Sequence, residues 1–148
     1  MLLNQQLLDS LSAQAKASPR LRMNYDLRNT PNDQSQRMLN ALEPGTVMPI
    51  QRHRNTSETV VVLRGKVKWL YYNYKGELTD EILVESDGDI RVLSVPMGQW
   101  HSLECLESGS VILETKDGAW EAMKEEDIIA GSTRPAQSGL GILGGCGE

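Results

Sequence analysis

Residues 45–65 read GTVMPIQRHRNTSETVVVLRG. Gln51 and His53 are two apart, so on extended chain they project to the same side. Glu58 follows one short turn later, and the β-branched run TVVVL that ends at Gly65 reads as a buried strand. A polar pair, a carboxylate and a strand in so short a span amount to half of a metal site inside a barrel. The other half must come from elsewhere, and the second of the chain's two histidines is His101.

Downstream of Glu58 the pattern is one of strands. Arg64-Gly65 turns the chain into KVKWLYYNY, where Val67, Trp69 and Tyr71 alternate with other positions. Lys75-Gly76 turns it again before EILVES, and Asp87-Gly88-Asp89 forms a hairpin-type turn into IRVLSVP. Met97-Gly98 breaks that strand and WHSLECL begins another. Ser108-Gly109 then precedes SVILETK, which Asp117-Gly118 stops. Short strands between glycine-containing turns, with no long helix among them, predict a sandwich or barrel rather than a parallel α/β sheet.

Upstream, Leu2, Leu3, Leu7, Leu8 and Leu11 form a helical stripe that Ser18-Pro19 closes, so residues 1–18 are expected to be a helical segment. Such a stripe serves a core or a dimer contact, and a homodimer is expected. Residues 20–36 are polar and turn-rich, with Asn29, Pro31, Asn32 and Asp33 marking a loop. Arg20, Arg22 and Arg28 there are candidates for an anion pocket, weighed against a solvated surface that is favoured. QRMLNALEPG is a short helix or a strand ended by Pro44-Gly45, and WEAMKEEDI is a short helix or extended chain. The barrel is expected to span residues 19–130, followed by a flexible Gly- and Ser-rich tail over residues 131–148.

A length of 148 residues suits one domain. The 15 Lys and Arg against 20 Asp and Glu argue against nucleic acid as a partner, which needs a basic patch. No apolar run is long enough for a membrane span, and MLLNQQLLDSLS lacks the charged start and apolar core of a signal peptide. Cys105 and Cys146 read as two free thiols, and the chain is expected to be cytoplasmic.

His53, Glu58 and His101 are the candidate metal ligands. Two imidazoles and a carboxylate hold Zn, Fe or Mn in open sites that leave positions free for water or substrate. The spacing resembles that of the cupin superfamily, whose first motif is G-x5-H-x-H-x3,4-E-x6-G. Gly45, Gln51, His53, Glu58 and Gly65 follow it, and Pro96, Gly98 and His101 follow the second motif, G-x5-P-x-G-x2-H-x3-N. Three positions depart from it: Gln51 stands for the first histidine, Ile90 for the opening glycine of the second motif, and Cys105 for its closing asparagine. Within the superfamily, QRMLNALEPGTVMPIQRHRNTSETVVVLRGKV resembles the WbuC-type cupin metalloproteins, often found with genes for O-antigen or other surface polysaccharides.

The resemblance implies an all-β, cupin-type double-stranded β-helix (a jelly-roll barrel) with a short N-terminal helix. It also implies a divalent metal ion (Zn, Fe, Mn or Ni) on Gln51, His53, Glu58 and His101. An amide oxygen is a neutral, weaker donor than imidazole, so Gln51 is expected to lower affinity for Zn or Ni. Tyr71, Trp69, Trp100 and Arg91 are pocket candidates, each dependent on strand facing. Arg52, between Gln51 and His53, is expected to face away as a surface charge.

Three functions compete. One is a metal-dependent sugar or sugar-nucleotide isomerase or epimerase of polysaccharide synthesis. The second is an Fe-dependent dioxygenase, and the third is a non-catalytic module that binds a carbohydrate or other small molecule. No acid or base beside the metal is evident in the sequence to choose among them, and catalytic residues are unassigned.

Overall fold

In the computed structural model, which describes residues 1–132, helix α1 (Gln5–Ala17) precedes eight strands. They are β1 (Arg22–Asp26), β2 (Gln36–Leu42), β3 (Glu58–Arg64), β4 (Lys66–Tyr72), β5 (Leu78–Glu85), β6 (Val92–Val95), β7 (Trp100–Cys105) and β8 (Ser110–Lys116). All pair antiparallel, in a five-stranded sheet of order β1-β2-β8-β3-β6 and a three-stranded sheet of order β5-β4-β7. The two sheets face each other as a jelly roll.

The run TVVVL, read as a buried strand, is β3, and its burial alternates. Glu58, Val60 and Val62 are buried, while Thr59 and Leu63 are exposed. Val60 and Val62 pack with Leu42, Val67, Trp69, Val84, Leu103 and Ile112 into the principal core. Burying each such side chain contributes about 1.5–3 kcal/mol.

Helix α1 lies on the outer face of the five-stranded sheet. Leu8, Leu11 and Ala15 of its stripe meet Leu39 and Ala41 of β2 and Val111 of β8. Leu2 and Leu3 precede the helix and are exposed. The Asn4 side chain accepts a hydrogen bond from the Leu7 N–H and caps the first turn. The last turn stops at Ser18, whose backbone is held extended ahead of Pro19.

One expectation needs correction. Residues 22–26 lie not in a loop but in edge strand β1, whose alternation a charged, turn-rich setting conceals. Of the helix and strand left open for QRMLNALEPG, residues 36–42 are strand, apolar on both faces because the barrel covers one and α1 the other. Most of the predicted tail, residues 133–148 with Cys146, lies outside the described residues. Cys105 is a buried free thiol bonded to the carbonyls of Leu42 and Glu107. Among the described residues, no helix is long and apolar enough to cross a membrane.

Gly65, the closing glycine of the opening stretch, sits at φ +87° against the backbone of Ser110. A Cβ there would lie 2.8 Å from the Ser110 Cα and closer still to its hydroxyl. Gly98 has a similar φ, +81°, but open space around it. Gly98→Ala should therefore cost about 1 kcal/mol for the backbone alone. Gly65→Ala should cost about 1–3 kcal/mol more for the clash, read as the difference in urea denaturation midpoints.

Candidate metal centre

Three donor atoms meet at one end of the barrel. Glu58 opens β3, His101 lies on β7, and His53 comes from the extended segment between β2 and β3. One ligand-capable atom from each lies within 4.8 Å of the others. Glu58 Oε2 is 3.5 Å from His53 Nε2 and 3.7 Å from His101 Nε2. The side chains of Glu58 and His101 are 2% and 5% exposed, that of His53 15%, so His53 stands nearest the opening.

The tautomer of His101 follows from its surroundings. Its Nδ1 lies 2.9 Å from the Gln99 carbonyl, which can only accept, so Nδ1 carries the proton. Nε2 is then a lone-pair acceptor turned toward a carboxylate oxygen. Trp69 stacks on the imidazole with centroids 5.4 Å apart and planes 12° apart. Burial pushes His101 down to about 4. Burial, followed by the charge of Lys116, pushes His53 down to about 3. Both imidazoles are neutral at neutral pH, the state in which they can ligate. Two neutral imidazoles and a carboxylate whose donor atoms meet within 4.8 Å are a set that holds a divalent metal, so the residues present fit one.

Gln51 is placed by backbone pairing. It exchanges two hydrogen bonds with His101, Gln51 N to His101 O at 3.0 Å and His101 N to Gln51 O at 2.9 Å. Direct antiparallel partners project to the same face, so Gln51 shares the interior side with His101, as does Tyr71, the partner of His101 on β4. The segment is not a continuous strand; isolated bridges join Gln51 to His101 and to Ile128. Ile50 packs on the other side, with Tyr72 and Trp100. Trp100 therefore faces away from the centre, and Arg91 is exposed and bonded to the Gly88 carbonyl. Of the four pocket candidates, Trp69 and Tyr71 have the right facing.

Arg52 does face away from the centre, yet it is not an idle surface charge. Its guanidinium lies 4.7 Å from the centroid of Trp100 and donates to Asp127 at 2.9 Å. Arg54 donates to the same carboxylate oxygen at 2.5 Å. Asp127 ends a short 3₁₀ turn, Glu125–Asp127, and the pair ties the strap over residues 118–129 to the segment carrying His53. Of the arginines weighed for an anion pocket, Arg20 is exposed. Arg22 is buried on the Val47 carbonyl, and Arg28 pairs with Asp26 at the barrel mouth.

Two interior charges were missed from sequence, Glu114 and Lys116 on β8. Lys116 is the direct partner of Glu58 and of Gln36, and Glu114 is the partner of Val60 and of Met38. Both are buried. Burial, and next the neighbouring Glu58, push the Glu114 carboxyl up to about 8, and a hydrogen bond joins the two acids. The signal was present in SVILETK, where Ile112, Glu114 and Lys116 share one face at period two.

The sequence profile of a family described as a domain of unknown function, DUF6016, matches residues 3–84, more than half of the chain. The chain belongs to that family. No curated protein is significantly similar to it in sequence. Among solved structures, the DUF6016 chain resembles CapF, a capsular polysaccharide assembling protein of Staphylococcus aureus. The TM-score is 0.60 at 20% identity, over 76% of this chain and 32% of CapF, so the chain spans about a third of that protein. Oxalate decarboxylase of Bacillus subtilis matches with TM-score 0.53 at 19% identity, over 75% of this chain and 28% of that one. The cupin domain of Schizosaccharomyces pombe Cnp3 matches with TM-score 0.53 at 16% identity, over 66% of this chain and 61% of that one. The fold is that of the cupins.

The buried carboxylate of Glu58 lies directly opposite Lys116 across the strands. Glu58→Gln takes away a buried counter-charge to that lysine, a loss that outweighs the hydrogen bond of about 1 kcal/mol an amide could give an imidazole. The variant should therefore denature at lower urea than the wild type when both are held in a chelator.

Proposed function

We propose that this chain is a metal-dependent cupin enzyme of the WbuC type, acting on a sugar or sugar-nucleotide in the synthesis of a surface polysaccharide. The observation that carries the metal reading is the meeting of His53, Glu58 and His101 within 4.8 Å, with the His101 lone pair turned toward the Glu58 carboxylate. Gln51, on the same side as His101, would be a fourth, weaker donor or the contact of a metal-bound water. The structural likeness to oxalate decarboxylase, a protein described as having Mn(II) centres, agrees with a hard divalent ion in such a fold. The carbohydrate reading is supported by the resemblance of residues 36–67 to the WbuC-type cupins and by the likeness to CapF, described as assembling capsular polysaccharide.

A bound divalent metal would supply Lewis-acid polarisation of a substrate carbonyl or hydroxyl. The chain's own residues would do the rest. Glu114, hydrogen-bonded to Glu58 and lining a cavity at the mouth, is placed to hold or pass a proton. Trp69 and the Gln99 carbonyl hold the His101 ring in register. Lys116, buried beside Glu58, would orient a negatively charged or polar substrate group.

Element analysis of protein purified without chelator should find about one divalent ion per chain in the wild type and a large loss in His101→Ala. Near-zero metal in the wild type would overturn the reading, and equal content in both proteins would remove His101 from the ligand set. Gln51→His should tighten binding of Zn or Ni, about tenfold or more if the new imidazole ligates. Unchanged affinity would show that the side chain is not a ligand.

A further inference from the structure

Two cavities open at the same end of the barrel as the candidate ligands, with volumes of about 260 and 380 Å³. The first reaches His53 and the second Glu114, and both are walled by Gln36, Lys116 and Trp120. Together they adjoin the centre from two sides, and the larger is of the size that holds small organic ligands.

Their chemistry differs from that of the chain as a whole. Of the chain's fifteen basic and twenty acidic residues, the two walls hold six and four. Arg28, Arg37, Arg52 and Arg54 pair with Asp26, Asp33 and Asp127, and Lys116 is the cation that both cavities share. Lys116 is the deepest of these cations. It is 8% exposed and stands on the inward face of β8 between the two cavities. Across the strands it stands opposite Glu58, and its side chain also lines both cavities.

Trp120 supplies the second half of the argument. Trp69 and Trp100 are 1% and 8% exposed, whereas Trp120, on the rim common to both cavities, is 44% exposed. An indole left uncovered beside a polar pocket offers a flat apolar surface on which the C–H face of a pyranose can lie. The strap that carries it is pinned by Asp127 to Arg52 and Arg54, so the rim is held in place before any ligand arrives.

We infer that the mouth takes an acidic sugar, its ring on Trp120 and its anionic group directed to Lys116. This names the substrate class of the site proposed above and rests on that reading. The anionic group is a carboxylate or a phosphate, and Lys116 as a point charge accepts either.

The test is calorimetric titration of the full chain with D-glucuronate, D-glucose 1-phosphate, D-glucose and inorganic phosphate, with metal content measured on the same samples. At least one acidic sugar should bind ten times or more tightly than both glucose and phosphate, and the better of the two identifies the anionic group. Trp120→Ala, at an exposed position, should weaken the acidic sugar at least fivefold and leave phosphate unchanged. Lys116→Met should weaken it at least tenfold, and Lys116→Arg should retain most of the binding. Should the methionine variant fail to fold, loss of acidic-sugar binding on raising salt from 50 to 500 mM serves in its place. The inference is overturned if neither acidic sugar binds more tightly than glucose, if phosphate alone binds as well, or if Trp120→Ala changes nothing. A metal-free protein that still binds acidic sugar through Lys116 and Trp120 keeps this inference and removes the metal reading; a metal-loaded protein indifferent to the sugars does the reverse.

Discussion

Two backbone hydrogen bonds between Gln51 and His101 hold the site together. They join a segment that is not itself a regular strand to the edge of the three-stranded sheet. Because direct partners share a face, they also settle which side chains enter the barrel. On the other edge of the same segment, Arg52 N bonds to the Asp127 carbonyl and Ile129 N to the Ile50 carbonyl. Residues 50–52 are thus a ribbon zipped between β7 and the strap. Inward go Gln51 and His53, outward go Ile50 and Arg52. A slip of one residue would exchange the donors for an isoleucine and an arginine.

The barrel is divided along its axis. The inward residues of β3 run from Glu58 to Val62 and those of β8 antiparallel from Ile112 to Lys116, so polar ends coincide with polar ends and apolar ends with apolar ends. At the apolar end, Val62, Val67, Leu103 and Ile112 supply burial that opposes chain entropy. At the other, Glu58, Glu114, Lys116 and His101 are buried at the cost of their hydration. A core does not need such residues to fold. Their concentration at one end, next to two open cavities, marks that end as the working one.

Much of this was legible in the residues. Turn glycines and β-branched runs placed the strands from β3 onward, and the spacing of Gly45, His53, Glu58 and Gly65 with Pro96, Gly98 and His101 picked out three acceptors that do converge. What was hidden was hidden for particular reasons. β1 is short and rich in charge, so its alternation did not stand out from a loop. Glu114 and Lys116 were overlooked because a charged pair at the end of a strand ordinarily faces water. The buried Ile112 on the same face argued otherwise. Arg52 was correctly turned outward, but its bond to Asp127 joins residues far apart in the chain, and no local pattern announces such a contact.

The strap carries a consequence for how proteins of this kind diversify. The acceptor set stands on β3, β7 and the ribbon of residues 50–53, whereas Trp120 and the outer cavity wall belong to a later segment held to that ribbon by Asp127 and by backbone bonds at residues 127–129. The family profile stops at residue 84, before His101, Lys116 and Trp120. Changes in the strap can reshape the entrance while leaving the acceptors where the barrel puts them. Selection can therefore retune what enters the cavity and what happens at its base as two nearly separate traits, joined where residues 50–54 meet residues 127–129.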